Sequence, residues 1–382
     1  MWCASPQDHG AAFARGWVTT VNFAAWCATR RAAAFEALKR KAAAAAGAGA
    51  AAAAVDRDGR PLLLALPADA AAVAASRAPP PPREGKHAHT YADSGDRYTG
   101  DFLDGRRHGH GVYVEKSSGN RYDGEWRDDE RHGVGALSSG DGDYLYDGDW
   151  AHDRRTGHGC CIIRGRESYT GAWRDGLFHG RGTLCDAEGS VYEGEWADGV
   201  KQGAGTERLR GGDVYVGEFD GGERCGVGQC TFSDGALYSG QWRGGKFEGE
   251  GTLTRTDGSS YDGVWRAGAP HGWGVATDAD RTVREGEWGA GAPVDGDWRV
   301  VHADGAQYAG ACHGGVAHGV GVMKYASGDV YTGSWRDGRR AGAGCCVFAD
   351  GGVFDGEWEN DHISLTGRGT LRMADGTKHE FA

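Results

Sequence analysis

Five histidines stand at one recurring place. His108, His132, His179, His271 and His318 each come immediately before the first glycine of a Gly-x-Gly pair. A column of imidazoles is what a metal chain or proton relay would use, but one period accounts for all five as strand-start residues. Asp and Glu alternate with aromatics along the same stretches, where they could chelate calcium or pair for acid–base work. The simpler reading is a solvated strand face that also discourages edge pairing. Catalytic groups need particular mutual geometry, and no nucleophile–His–acid set stands apart from the period. The Gly-x-Gly spellings open no helix after a strand, so they do not suit a dinucleotide or phosphate cradle. No catalytic residue, metal site or cofactor is expected.

The ten cysteines include the adjacent pairs Cys160/Cys161 and Cys345/Cys346, and none forms Cys-x-x-Cys. Adjacent cysteines suit neither an easy disulfide nor a zinc knuckle. Small apolar filler in a reducing compartment is the expectation. Glycine supplies 69 of the 382 residues, far above the usual share of about 7%. There is no Gly-X-Y register, and 14 Trp and 14 Tyr are too many for a linker. Residues 1–90 hold 11 Lys/Arg against 6 Asp/Glu, so the remainder carries −17 while the chain totals −12. An acidic array is poorly suited to nucleic acid, and no nucleic-acid partner is expected. The stretch most like a membrane span, 62–75, is short and interrupted by Pro67 and Asp69.

These residues are positioned by a strict repeat. Tyr169, Tyr192, Tyr215, Tyr238 and Tyr261 follow one another at steps of 23, each opening Tyr-x-Gly-x-Trp/Phe. Such a period marks a repeat architecture. The anchors extend it from Tyr98 through Tyr122, Tyr146, Tyr308 and Tyr331 to Phe354, with Arg284 in the ninth place: twelve units. In a strand, residues i, i+2 and i+4 share a face. Tyr192, Gly194 and Trp196 then point one way and Glu193 and Glu195 the other; Gly180, Gly182 and Leu184 are likewise read as sharing a face. Asp-Gly six residues after the aromatic, as at Asp175-Gly176 and Asp198-Gly199, is a strong hairpin signal. A second glycine, such as Gly189 or Gly212, turns the chain between units.

The fold class predicted is all-β: an elongated, single-layer antiparallel β-meander of about twelve 23-residue β-hairpin repeats. It follows a mostly disordered or partly helical N-terminal segment. Twenty-four strands at about 4.8 Å would extend on the order of 110 Å. Each hairpin is too weak to stand alone and needs its neighbours. Residues 1–90 form an Ala/Pro-rich low-complexity region with a basic helix over 24–46 and a polyproline spacer at Pro79–Pro82. The array covers 91–376, and 377–382 is a C-terminal tail. An organelle transit peptide at the N-terminus is the lesser alternative to padding.

The glycines free room for rings on the aromatic face, which is either plain core or, lacking a second layer, a partly open interaction stripe. Its candidate binding residues are Tyr122, Trp126, Tyr146, Trp150, Tyr169, Trp173, Tyr192, Trp196, Tyr215, Phe219, Tyr238, Trp242, Tyr261 and Trp265.

Tyr-x-Gly-x-Trp followed by Asp-Gly-x-x-His-Gly-x-Gly resembles the MORN (membrane occupation and recognition nexus) repeat, from Tyr98 to about Leu371. The resemblance implies a twisted sheet with an aromatic groove and non-catalytic roles in scaffolding, dimerisation, and attachment to membranes or cytoskeleton. The function expected is a non-catalytic scaffold or adaptor that binds a protein or peptide segment, or a second copy, on that groove. Its place would be cytoplasmic, at cytoskeletal or ciliary structures or at the membrane periphery. One alternative is an adaptor binding anionic phospholipid through weak contact of the basic residues 30–41. Another is a regulatory module acting on a separate enzyme. The ninth unit has Arg284 for tyrosine and Asp295-Gly296-Asp297 where Gly-x-Gly should fall, which predicts a bend or weak point over 284–300. The tenth has Cys312 for tryptophan.

Overall fold

A computed structural model describes residues 83–364 and 367–381. The helix expected over 24–46, and the character expected for residues 1–82, lie outside the described residues. Those described are all-β: 28 strands, no helix. Two compact units are delimited, one ending at Ser233 and one beginning at Asp234. Within each, strands pair antiparallel with their neighbours in sequence, as hairpins joined by tight turns must.

One hairpin shows why this sequence folds so. Val191–Ala197 runs out and Val200–Arg208 returns, with Tyr192 opposite Glu207, Gly194 opposite Gly205 and Trp196 opposite Lys201. Asp198 and Gly199 between them have φ of 48° and 86°. Two left-handed residues in a row make the turn whose twist matches the flanking strands, and Asp-Gly is the pair that tolerates it best. The register slips between Gly194 and Trp196, a β-bulge repeated in hairpin after hairpin.

That bulge corrects one sequence expectation. Gly180 has φ of 59°, and a Cβ built on it would meet Ala172 Cβ at 3.3 Å, on the side away from the rings. Gly180 therefore does not share the face of Gly182. An extra residue in one strand breaks the period of two on which alternation rests. The two glycines of Gly-x-Gly serve different needs: the first takes a left-handed φ, and the second lies under a ring.

In each unit, strand structure extends beyond the boundary read from sequence. Glu84–Thr90 pairs along its whole length with Arg97–Leu103, so strand structure starts before residue 91. His89, edge-on to Phe102 at 6.4 Å, takes a place on the ring side without the repeat's spelling. Lys378–Phe381, within the segment read as a tail, pairs with Gly369–Arg372, and Phe381 packs 6.0 Å from Phe354.

In the ninth unit the ladder shortens: Val283–Glu285 pairs with only Arg299–Val301. The ring space is refilled. Trp298, 3% exposed, lies over Gly286 where a tyrosine would lie elsewhere, while Arg284 turns to Asp278. The ladder is shorter where the bend or weak point is expected over 284–300, and a tryptophan from fourteen residues on closes the core beneath it.

Candidate functional site: the two faces of the sheet

The ring face is built in three tiers, beginning with glycine. A methyl group on Gly205 would overlap the Tyr192 ring, and one on Gly251 the Tyr238 ring, because each ring lies flat on bare backbone. The phenol donates to a main-chain oxygen three residues on: Tyr192 Oη to Glu195 O at 2.9 Å, Tyr238 Oη to Gln241 O at 2.9 Å. Trp or Phe forms the second tier, edge-on to the tyrosine of its own repeat and to that of the repeat before. Trp196 is 5.1 Å from Tyr192 and 5.7 Å from Tyr169. Its indole N–H reaches back to Gly182 O at 3.2 Å. Trp126, Trp150, Trp173, Trp265, Trp335 and Trp358 bolt their hairpins to the preceding one by the same bond, and edge-to-face pairs add about 0.5–1.5 kcal/mol beyond their buried area.

The third tier is the residue opposite the tryptophan, two positions after the turn. Arg107 lies 4.1 Å above Trp126, Arg131 4.5 Å above Trp150, Arg155 4.4 Å above Trp173 and Arg340 4.1 Å above Trp358. In each case the ring belongs to the next repeat. All four arginines also grip the next turn: Arg107 Nε to Asp129 (3.1 Å), Arg131 Nε to Asp153 (2.8 Å), Arg340 Nε to Asp361 (3.3 Å), and Arg155 Nη2, which donates to Gly176 O (2.8 Å). Elsewhere Phe178 and Phe247 stack on Tyr169 and Tyr238 at 3.9 and 3.7 Å. Sequence reasoning missed this tier because the residue type varies among Arg, Lys, Phe, Pro, Ala and Ile. Its fixed distance after the turn is the signal that marks it.

All fourteen candidate binding residues are interior. Tyr122, Trp126, Tyr146, Trp150, Tyr169, Trp173, Tyr192, Trp196, Tyr215, Phe219, Tyr238, Trp242, Tyr261 and Trp265 are 0–5% exposed. Of the two readings left open for the aromatic face, the structure has the core. Glycine below and the covering tier above enclose the rings without a second sheet. Burial also pushes the phenols up, Tyr261 to about 12. The cysteines behave as filler on this face: Cys161, Cys230, Cys312 and Cys346 are buried and none of the described ones is in a disulfide.

Glu207 is the one acid on the ring side of its hairpin, set between Lys201 Nζ at 2.5 Å and Arg224 Nη2 at 2.7 Å. Burial alone would raise its carboxyl; the two cations outweigh that and hold it below the ordinary glutamate range.

The histidines sit on the reverse face, apart from the rings. Nδ1 of His108, His132 and His179 is buried without a hydrogen-bond partner. For His179, Asp198 Oδ1 stands at 3.7 Å, beyond hydrogen-bond reach. Among the described residues no three His, Cys, Asp or Glu side chains converge as metal ligands would. Elsewhere this face carries carboxylates after or before the ring in several repeats, such as Asp123 and Glu125, exposed valines at Val134 and Val320, and one exposed indole, Trp273.

Ten segments match the MORN repeat family model: 98–114, 122–144, 146–164, 169–191, 192–214, 215–237, 238–260, 261–283, 308–330 and 331–353. The chain belongs to the MORN repeat family. The two units outside the matches are the ninth, with Arg284, and the last, opened by Phe354. MORN repeats make this a repeat scaffold. No curated protein matches the sequence. Among solved structures, the TCP domain of Drosophila melanogaster SAS-4 in complex with a proline-rich motif of Ana2 is 10% identical, covering 47% of this chain and 83% of that one at a TM-score of 0.24. The TCP10c domain of Drosophila melanogaster Sas-4 gives 13%, 41% and 93% at 0.26, and a streptogramin B lyase 11%, 79% and 83% at 0.13. Scores this low carry nothing over to the MORN array.

Proposed function

We propose that the chain is a non-catalytic scaffold that binds a protein segment in the cytoplasm, at cytoskeletal or ciliary structures. One observation supports this most: the rings are buried within a single layer, by glycine beneath and by the covering tier above. A sheet that completes its core this way leaves its covering tier and its reverse face to meet partners, with equivalent positions returning every 23 residues and their side chains varying from repeat to repeat. A partner on the ring face meets the covering side chains, three successive arginines at Arg107, Arg131 and Arg155, and not the rings themselves.

Proximity labelling with the full chain in cells tests the reading. The expected result is a recurrent set of protein neighbours absent from a freely diffusing control; labelling no different from that control contradicts it. Sedimentation with phosphatidylserine vesicles separates the lipid alternative. The −17 beyond residue 90 predicts that the chain stays in the supernatant at physiological salt. Salt-sensitive co-sedimentation, lost when the cations of residues 30–41 are replaced, would favour the membrane adaptor instead.

A further inference from the structure

Trp273 departs from the rule that every other tryptophan of the array follows. The others lie on the ring side, while Trp273 occupies the middle of Gly272-x-Gly274, faces the reverse side and is 58% exposed. The strand pairings place its surroundings. Glu287 is directly opposite on Val283–Gly289, and Glu285 follows one step along the same face. On the other flank Val264 lies beside it, paired in turn with Glu250 on Lys246–Thr254. Arg299 Nη1 approaches Glu285 at 3.4 Å. Among the described residues no ion pair reaches Glu250 or Glu287, and both are exposed. The patch is an open indole and a half-buried valine rimmed by three carboxylates, of which, among the described residues, Glu285 meets Arg299 and Glu250 and Glu287 meet no cation.

Such a surface selects a segment that brings cations together with an apolar side chain. A guanidinium or ammonium gains from an indole face and from carboxylates beside it. Trp at the centre of a contact is among the commonest energetic anchors.

We propose that this patch is the docking site of the chain's own basic segment, residues 30–41. That segment reads Arg-Arg-Ala-Ala-Ala-Phe-Glu-Ala-Leu-Lys-Arg-Lys: Arg30, Arg31, Lys39, Arg40 and Lys41 around Phe35 and Leu38, with Glu36 the lone acid. Charge complementarity favours it, since the array is strongly acidic and the first 90 residues are net basic. Covalent linkage favours it too. Roughly 40 residues join the segment to the first strand, a tether able to extend on the order of 140 Å, and tethering replaces a bimolecular encounter by a local concentration. While docked, the segment withholds Trp273 from any other cationic chain. This inference does not depend on the scaffold reading, and its test is separate.

The test is zero-length carbodiimide cross-linking of the full-length chain, read by peptide mass spectrometry on an equal mixture of 15N-labelled and unlabelled protein. The expected links join Lys39 or Lys41 to Glu250, Glu285 or Glu287, stay within one isotopic species, and fall several-fold in Trp273→Ala and in high salt. Trp273 is exposed and outside the core, so this variant folds; circular dichroism of both proteins verifies it. Links scattered over the acidic residues, links unchanged by Trp273→Ala, or links of mixed isotope would each overturn the proposal.

Discussion

At Gly251 the space a methyl group would need is already filled by the Tyr238 ring. Overpacking of this kind costs about 1–3 kcal/mol, so Gly251→Ala should lower the urea midpoint of the full chain accordingly. Gly211 is the control: nothing lies within 4 Å of a Cβ there and its φ is not left-handed. Gly211→Ala should leave the midpoint unchanged or raise it slightly. Equal losses at both positions would mean that glycine is not serving the rings. At this scale the sequence was legible wherever the period of two holds, as for Tyr192, Gly194 and Trp196. It was not legible at Gly180, because a bulge is a property of two paired strands and leaves no mark in one of them beyond the glycine itself.

The hairpin is stabilised by a side chain whose type changes from repeat to repeat. Arg340, Phe247 and Lys201 all cover rings, by cation–π contact or by stacking, and one chemical spelling does not unite them. Their place was therefore hidden from a reading keyed to recurrent letters. Glu207 completes this tier in its hairpin by holding Lys201 and Arg224 together. Its folded pKa lies below the unfolded one. The stability it contributes is thus present above the ordinary glutamate range and is lost as pH falls through the folded value. Glu207→Gln should be less stable than the natural chain by about 1–3 kcal/mol at pH 7, and the two urea midpoints should converge as the pH drops below 4.5. A gap that persists undiminished at pH 3 would show that the carboxylate's charge is not what matters. The ninth hairpin carries the complementary lesson. The loss of tyrosine at Arg284 was visible in the sequence, but its replacement by Trp298 was not, since that ring comes from the returning strand.

Across the whole chain the architecture was readable because a period of 23 leaves little freedom: two tight turns per unit force neighbouring strands to be antiparallel. The ends were less readable. Glu84–Thr90 and Lys378–Phe381 pair through main-chain groups, and backbone pairing asks for no particular spelling. The aromatic residues were identified correctly as a face, yet burial could not be inferred from them alone, since it depends on the covering tier. The central claim is that this face is the interior of the protein and that the reverse side is surface. Two tryptophans on opposite sides of the sheet decide it. Trp242 is 5% exposed and Trp273 58%. In urea unfolding of the full chain, Trp242→Ala should cost about 3–5 kcal/mol and Trp273→Ala no more than about 0.5 kcal/mol. Comparable losses from the two, or a larger one at Trp273, would contradict the account.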